Sequence, residues 1–120
     1  MNTFTPAAVK PIVSPDALKA LDIRVGTISG VDDVAGSDRL VILAVDFGDH
    51  TRRIVAGLKK ERADPTEIQG KQALFVVNLE PKRIRGKLSE GILFDIGHAD
   101  RIIPVLAVPE RSVPNGAQAG

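Results

Sequence analysis

From Ile23 onward the chain consists of short runs of Val, Ile and Leu that are interrupted every few residues by Gly, Asp or Asn. Runs of this length, separated by turn-forming residues, are typical of β-strands. No run approaches the roughly 18 apolar residues that a membrane-spanning helix needs. The pattern therefore predicts a soluble all-β domain, and in the absence of a recognisable targeting segment we expect it in the cytoplasm.

Five strands and a weaker sixth are predicted, over residues 23–34, 39–47, 51–57, 72–79, 89–96 and 102–108. In the second strand Leu40, Ile42 and Ala44 alternate with other apolar residues, so both faces of this strand are apolar. Since a strand exposes a face only when that face is polar, the second face is expected to meet another element or another subunit.

Two short helices complete the order of elements. Ser14 followed by Pro15 has the form of a helix start, and the helix is expected to end near Leu21. Asp64 followed by Pro65 predicts a second short helix after the third strand. This order is that of an OB-fold, a five-stranded Greek-key barrel with a helix after its third strand.

The 120 residues fit one domain of ordinary size. We expect a flexible N-terminal arm over residues 1–13, the OB-fold domain with its C-terminal extension over residues 14–116, and a frayed tail over residues 117–120.

The composition excludes several classes of site. The chain contains no Cys, so disulfides, thiolate metal sites and cysteine nucleophiles are absent. It contains no Trp or Tyr and only 4 Phe, so recognition of nucleic acid by stacking several bases on aromatic side chains is not expected. Recognition by shape and charge remains.

The net charge is only +1, but its distribution is uneven. Lys82, Arg83, Arg85 and Lys87 fall within six residues that contain no acid; the rest of the chain holds 12 basic against 15 acidic residues. The run follows the fourth predicted strand, where an OB-fold places a ligand-binding loop. A solvated surface loop is the alternative explanation, but Ile84 inside the run could attach it to the barrel.

A second basic group surrounds the third strand and comprises Arg52, Arg53, Lys59, Lys60 and Arg62. Successive side chains of a strand point to opposite faces, so Arg52 and Arg53 cannot line the same groove. For this group we favour a solvated surface over a binding site.

Catalytic and cofactor motifs are not apparent. His50 and His98 are the only histidines, both in predicted loops and without metal-ligand spacing. Gly86 and Lys87 are followed by Leu88, which does not match a phosphate-binding loop of nucleotide hydrolases. We therefore expect a non-catalytic protein with no metal and no cofactor.

Five segments together resemble the tRNA-binding domain family, which includes stand-alone tRNA-binding proteins and the C-terminal domain of many methionyl-tRNA synthetases. They are LDIRVGTI at 21–28, SDRL at 37–40, VDFG at 45–48, AGL at 56–58 and NLEPKRIRGKLSEGIL at 78–93. The resemblance implies an OB-fold homodimer that binds the outside corner of tRNA without reading its sequence. The helix from Pro15 and the tail 102–116 are apolar enough either to cover the barrel or to pack across a twofold axis, and the resemblance favours the second.

By their positions in the family's motif, the resemblance implies seven RNA-binding residues. They are Asn78, Lys82, Arg83, Arg85, Lys87, Ser89 and, as a weaker candidate, Arg39. The resemblance implies that Arg83, Arg85 and Ser89 contact tRNA and that the two lysines add phosphate contacts. Asn78 would shape or join the site.

A second hypothesis belongs to a different class. The same family has a related branch of CsaA-type secretion chaperones, so the chain could instead be a dimer that holds unfolded peptides or preproteins on its apolar strands. An aminoacyl-tRNA synthetase is a further partner that the resemblance suggests. Arginine substitutions in the basic run would separate the hypotheses, because only RNA binding depends on that charge.

Overall fold

The computed structural model describes residues 4–120. Helix α1 is Pro15–Lys19, and a single 3₁₀ turn covers Pro65–Ile68. The strands are β1 Ile23–Asp33, β2 Val41–Asp46, β3 Thr51–Ala56, β4 Gln72–Val76, β5 Lys82–Ile84, β6 Lys87–Ser89, β7 Ile92–Leu93, β8 Asp95–Ile96, β9 Val105–Leu106 and β10 Gln118–Ala119. Among the described residues, no helix is long and apolar enough to cross a membrane.

The main sheet is antiparallel with the order β3-β2-β1-β4-β7, and β10 pairs with β1. β1 is 11 residues long and pairs with β2 and β4, so it connects the two halves of the sheet. Its register against β2 shifts between Ile28 and Gly30, which is the position of a bulge that bends the strand. The sheet curls accordingly, and the predicted all-β OB-fold is confirmed.

The core lies inside the curl. Its fully buried side chains come from β1 to β4 and the 3₁₀ turn, and the largest are Ile28, Leu43, Val45, Ile54, Ile68 and Phe75. A second, smaller cluster on the other face of β2 consists of Val34, Leu40 and Val55, against which Ile42 and Ile84 pack. The predicted second apolar face of β2 is therefore covered by another element of the same chain.

Both predicted helix starts are observed. Ser14 caps α1 by accepting a hydrogen bond from the Asp16 amide, and Asp64 caps the 3₁₀ turn by accepting from the Thr66 amide. Each start has Pro at its first turn, where the missing amide hydrogen costs nothing.

The fifth predicted strand, residues 89–96, is divided into shorter strands. Residues 89–96 contribute to β6, β7 and β8, with Glu90–Gly91 and Phe94 between them. Of the weaker segment 102–108, only Val105–Leu106 forms a strand, paired with β8. A methyl group on Gly91 would lie 2.9 Å from the Val76 carbonyl oxygen, so the chain passes close to β4 here and turns.

The frayed tail predicted for residues 117–120 is wrong. β10 pairs Ala119 with Ile23 and Gln118 with Arg24, and the Val25 amide donates to the Ala117 carbonyl at 2.9 Å. The reason is that β2 covers β1 only from Thr27 onward, which leaves the first residues of β1 with an open edge. Of the predicted arm 1–13, residues 4–13 form neither helix nor strand, and residues 1–3 lie outside the described part.

Two glycines of β1 provide a test of this packing. A methyl group on Gly26 would lie 2.5 Å from Val45 Cγ1 and 2.9 Å from Phe47 Cε1, whereas one on Gly30 would meet only Ala44 Cβ at 3.6 Å. Gly26→Ala should lower the free energy of unfolding by about 1–3 kcal/mol through overpacking. Gly30→Ala, the matched control, should change it by less than about 0.5 kcal/mol. Denaturant unfolding measures both, and equal effects would contradict the assigned packing.

Candidate nucleic-acid interface

The basic run predicted as a loop is an ordered β-hairpin. β5 and β6 pair Lys82 with Ser89, Arg83 with Leu88 and Ile84 with Lys87. The two turn residues, Arg85 and Gly86, have φ of 53° and 78°. Positive φ at both central residues defines the tight turn that best matches the twist of paired strands.

Arg85 occupies a backbone conformation that costs a non-glycine residue about 1–3 kcal/mol. Its side chain leaves the turn and donates from Nη2 to the Gly36 carbonyl oxygen at 2.8 Å. Gly36 belongs to the loop 34–40 between β1 and β2. The structure thus brings this loop and the hairpin together, which is the pair of loops that OB-folds use for ligands.

Alternation along β5 separates the exposed cationic side chains from the packing side chain. Ile84 is half-buried against the Val34, Leu40 and Val55 cluster. Arg83 is one residue earlier, points to the opposite face and is exposed. The prediction that Ile84 attaches the basic segment to the barrel is confirmed.

Arg39 lies on the same loop that Arg85 reaches. Its aliphatic carbons pass over Gly57, where a methyl group would be 3.4 Å from Arg39 Cγ. The guanidinium remains on the surface, since Arg39 is exposed. Arg39 and Arg85 therefore both lie at the 34–40 loop.

The two basic groups differ in how their charge is balanced. Among residues 4–120, no carboxylate forms an ion pair with Lys82, Arg83, Arg85, Lys87 or Arg39. In the second group, by contrast, Lys59 pairs with Asp33, Lys60 with Asp38 and Arg62 with Glu67. Arg52 and Arg53 of the second group form no ion pair among residues 4–120 either, so the hairpin differs in that all four of its cations are unpaired.

Ser89 does not lie on the surface, although position in the motif suggested an RNA contact. It is 4% exposed. Its hydroxyl accepts from the Val55 amide at 3.0 Å and donates to the Gly91 carbonyl at 3.0 Å. Both bonds are internal, so Ser89 holds β6 against β3.

Asn78 also makes bonds within the protein. Its side-chain oxygen accepts from the Asp22 amide at 2.8 Å, and its nitrogen donates to the Ala20 carbonyl at 2.8 Å. It thereby joins the start of the hairpin segment to the residues between α1 and β1. Asp22 is itself held by Arg24, whose hydrogen bond lowers the pKa of the Asp22 carboxyl.

Arg52 holds the hairpin segment in place, a structural role that the sequence did not predict. Its Nη1 donates to the carbonyls of Val77, at 2.6 Å, and Glu90, at 3.1 Å, which flank the hairpin segment on its two sides. Its Nε donates to His50 Nε2 at 3.0 Å. Strand alternation could have predicted this role. It places Arg52 and Arg53 on opposite faces of β3, and Arg52 is on the inward face.

A cavity of about 470 Å³ opens beside the hairpin. Its walls include Leu40, Val55, Leu58 and Ile84, and charged side chains stand at its edge. One of them is Glu61, which is half-buried and whose pKa is raised, mainly by that burial and secondarily by nearby Asp95.

The internal role of Ser89 gives a prediction. Ser89→Ala leaves the Val55 amide without an acceptor in the interior, so the free energy of unfolding should fall by about 1–3 kcal/mol. Ser29→Ala, which removes an exposed hydroxyl bonded to the Ala44 carbonyl, serves as the control and should change it by less than about 0.5 kcal/mol. Denaturant unfolding measures both changes, and a Ser89→Ala protein with the wild-type free energy of unfolding would contradict the internal role of Ser89.

The chain is similar in sequence to known tRNA ligases. Methionine–tRNA ligases from Thermococcus kodakarensis and Methanothrix thermoacetophila are 42% and 44% identical to the chain over 106 and 110 residues. These matches cover 88% and 89% of the chain; it spans only 14% and 15% of the length of those relatives.

Solved structures show the same fold. A MetRS-related protein from Pyrococcus horikoshii superposes with a TM-score of 0.83 at 29% identity, over 92% of this chain and 100% of that one. The chaperone CsaA from Bacillus anthracis gives 0.77 at 27% identity, again over 92% and 100%. The family model described as "Putative tRNA binding domain" matches residues 23–118. The chain therefore belongs to the tRNA-binding domain family.

Proposed function

We propose that the protein binds tRNA without catalysing a reaction, and that the β5–β6 hairpin makes the principal phosphate contacts. The observation that carries this proposal is the unbalanced charge of Lys82, Arg83, Arg85 and Lys87 on a hairpin that Ile84 attaches to the barrel. A positioned guanidinium binds phosphate oxygens with two parallel hydrogen bonds, at a smaller entropic cost than a flexible ammonium group.

The residues divide into two roles. Arg83 and Arg85 contact phosphates directly, the two hairpin lysines add charge, and Arg39 extends the surface along the 34–40 loop. Buried Ser89 and exposed Asn78 fix the hairpin segment on the barrel through hydrogen bonds to the protein's own backbone. Since the chain offers no row of aromatic side chains, RNA is recognised by the shape of its folded backbone. The outside corner of tRNA is the expected contact.

The family and the relatives support this ligand class. Two relatives are by name enzymes that act on tRNA, and they match this chain over a segment of similar length. We propose that this domain holds tRNA and thereby assists an aminoacyl-tRNA synthetase.

Binding of total tRNA across a salt series tests the proposal. With three to five cations on phosphates, the slope of log affinity against log salt should be roughly −2 to −5. Arg83→Ala/Arg85→Ala should weaken binding strongly and make the slope about 1.5 units shallower, because each lost phosphate contact removes roughly 0.7 to 0.9.

The control is Lys71→Ala/Arg111→Ala, which removes the same charge from a separate cleft that both residues line. Its affinity for tRNA should remain close to that of the wild type. An unstructured RNA of equal length should bind more weakly. Equal losses in the two double variants, or a flat salt response, would contradict the hairpin site.

We also propose a homodimer. α1 has no buried residue, and Leu18, Leu21 and Phe94 on its side of the barrel are exposed and line an apolar cavity of about 490 Å³. Apolar surface of this kind is typical of an interface. Two copies in contact would present two hairpins to RNA.

Sedimentation should therefore give twice the chain mass of 12.8 kDa at micromolar concentration. Leu18→Glu should produce monomers, because it places a charge in the apolar contact. Gln69→Glu adds the same charge at an exposed position on the 3₁₀ turn side and should leave the dimer intact. A wild-type protein that sediments at 12.8 kDa would overturn the dimer.

A second candidate function, that of a chaperone, is favoured by the CsaA likeness and by exposed Ile92, Ile103 and Val105. In that case Arg83→Ala/Arg85→Ala should still suppress the aggregation of an unfolded client as well as the wild type does. Failure of the wild-type protein to suppress aggregation would remove this candidate.

A further inference from the structure

The cavity beside the hairpin has the size and lining of a small-molecule site. Its volume of about 470 Å³ lies within the range of roughly 300–1,000 Å³ that ligand pockets occupy. Leu40, Val55, Leu58 and Ile84 form apolar walls, and Ile84 belongs to the hairpin itself. The cavity therefore continues the proposed phosphate-binding surface.

Two acidic side chains at this cavity lack a partner. Glu61 and Asp95 are half-buried, and among residues 4–120 neither forms an ion pair. The Arg39 side chain, which has no carboxylate partner either, also lines the cavity. Removing a carboxylate from water without giving it a hydrogen-bond donor is unfavourable, so a ligand that supplies donors would be stabilised here.

We propose that this cavity receives one unpaired nucleobase of the bound RNA, with the apolar walls holding its faces and Glu61 accepting hydrogen bonds from its edge. The inference rests on the proposed RNA binding and extends it from the phosphates to a base. Guanine fits best, because its imino and amino groups are adjacent donors that match the two oxygens of one carboxylate.

Three observations favour a nucleobase over other occupants. Arg39, which has no carboxylate partner, lines the cavity, and Arg85 reaches Gly36 on the same 34–40 loop; both cations attract a polyanion rather than a neutral peptide. Among the described residues, no group of three acidic or histidine side chains could hold a metal ion, so the carboxylates are available to organic donors. The alternation of apolar wall and polar edge matches the faces and the edge of an unstacked base.

The test compares two stem-loop RNAs with the same number of phosphates. One carries a single bulged guanosine, and the other carries an abasic nucleotide at that position. The wild-type protein should bind the guanosine RNA at least about fivefold more tightly, the lower limit for one bidentate base contact.

Glu61→Gln should abolish this preference and weaken binding of the guanosine RNA. The matched control is Glu80→Gln, which removes the same charge from an exposed position two residues before the hairpin. Removing negative charge near a polyanion strengthens binding by electrostatics alone, so Glu80→Gln should bind equally or more tightly and keep the preference. Of the two variants, only Glu61→Gln should therefore lose affinity for the guanosine RNA.

The loss of affinity expected for Glu61→Gln cannot be attributed to unfolding of the variant. Burial raises the pKa of the Glu61 carboxyl above its ordinary 4.5, because it penalises the charged form relative to the neutral form. The contribution of the neutral Glu61 carboxyl to the free energy of unfolding is fully present below pH 4.5. It is lost as the pH rises through the pKa of this group in the folded state. At pH 7 Glu61→Gln should accordingly unfold at the same temperature as the wild type or a higher one.

The possible negative results contradict different parts of the proposal. Equal affinity of the wild type for the guanosine and abasic RNAs, or equal effects of the Glu61→Gln and Glu80→Gln substitutions, would overturn the base site and leave the phosphate surface standing. Displacement of both RNAs alike by an apolar peptide, without a base preference, would assign the cavity to peptides and likewise overturn it. Absence of binding to either RNA would overturn the proposed function itself.

Discussion

The structure depends on how β3 meets the chain that follows the hairpin. A regular ladder is absent at this junction. Instead the Glu90 amide donates to the Arg53 carbonyl at 2.9 Å, the Glu90 side chain accepts from the Arg53 amide at 3.1 Å, and the Ser89 hydroxyl accepts from the Val55 amide. These bonds give Arg53 and Val55 on the outer edge of β3, which β2 leaves unpaired, partners in the segment after the hairpin, and they hold that segment against the end of the curled sheet.

The position of the basic hairpin follows from this junction. Arg52 joins the carbonyls of Val77 and Glu90, so the two ends of the hairpin segment are held at one place on the barrel. Between them, the tight turn at Arg85 and the packing of Ile84 fix the hairpin in orientation. Cations held in this way lose less conformational entropy on binding phosphate than cations on a mobile loop.

Local patterns predicted much of the architecture. The apolar runs identified β1, β2 and β3 to within two residues, and the proline-containing caps identified α1 and the 3₁₀ turn. The hairpin was not predicted as such, because Arg85 is an unusual residue at a turn position with positive φ. β7 to β9 lie within the predicted strands 89–96 and 102–108, but the division into such short pieces was not predicted, since strands of two residues carry no periodic signal.

The candidate site, like the fold, could be predicted from the sequence only in part. The sequence alone determined the all-β class and the concentration of positive charge at Lys82 to Lys87, because periodicity and charge are properties of neighbouring residues. Only the tertiary structure decided which cations are free and which are paired, since Lys60 and Arg62 meet Asp38 and Glu67 through folding. It also decided that Ser89 is internal and that Glu61 faces a cavity, because burial depends on what distant segments place around a side chain.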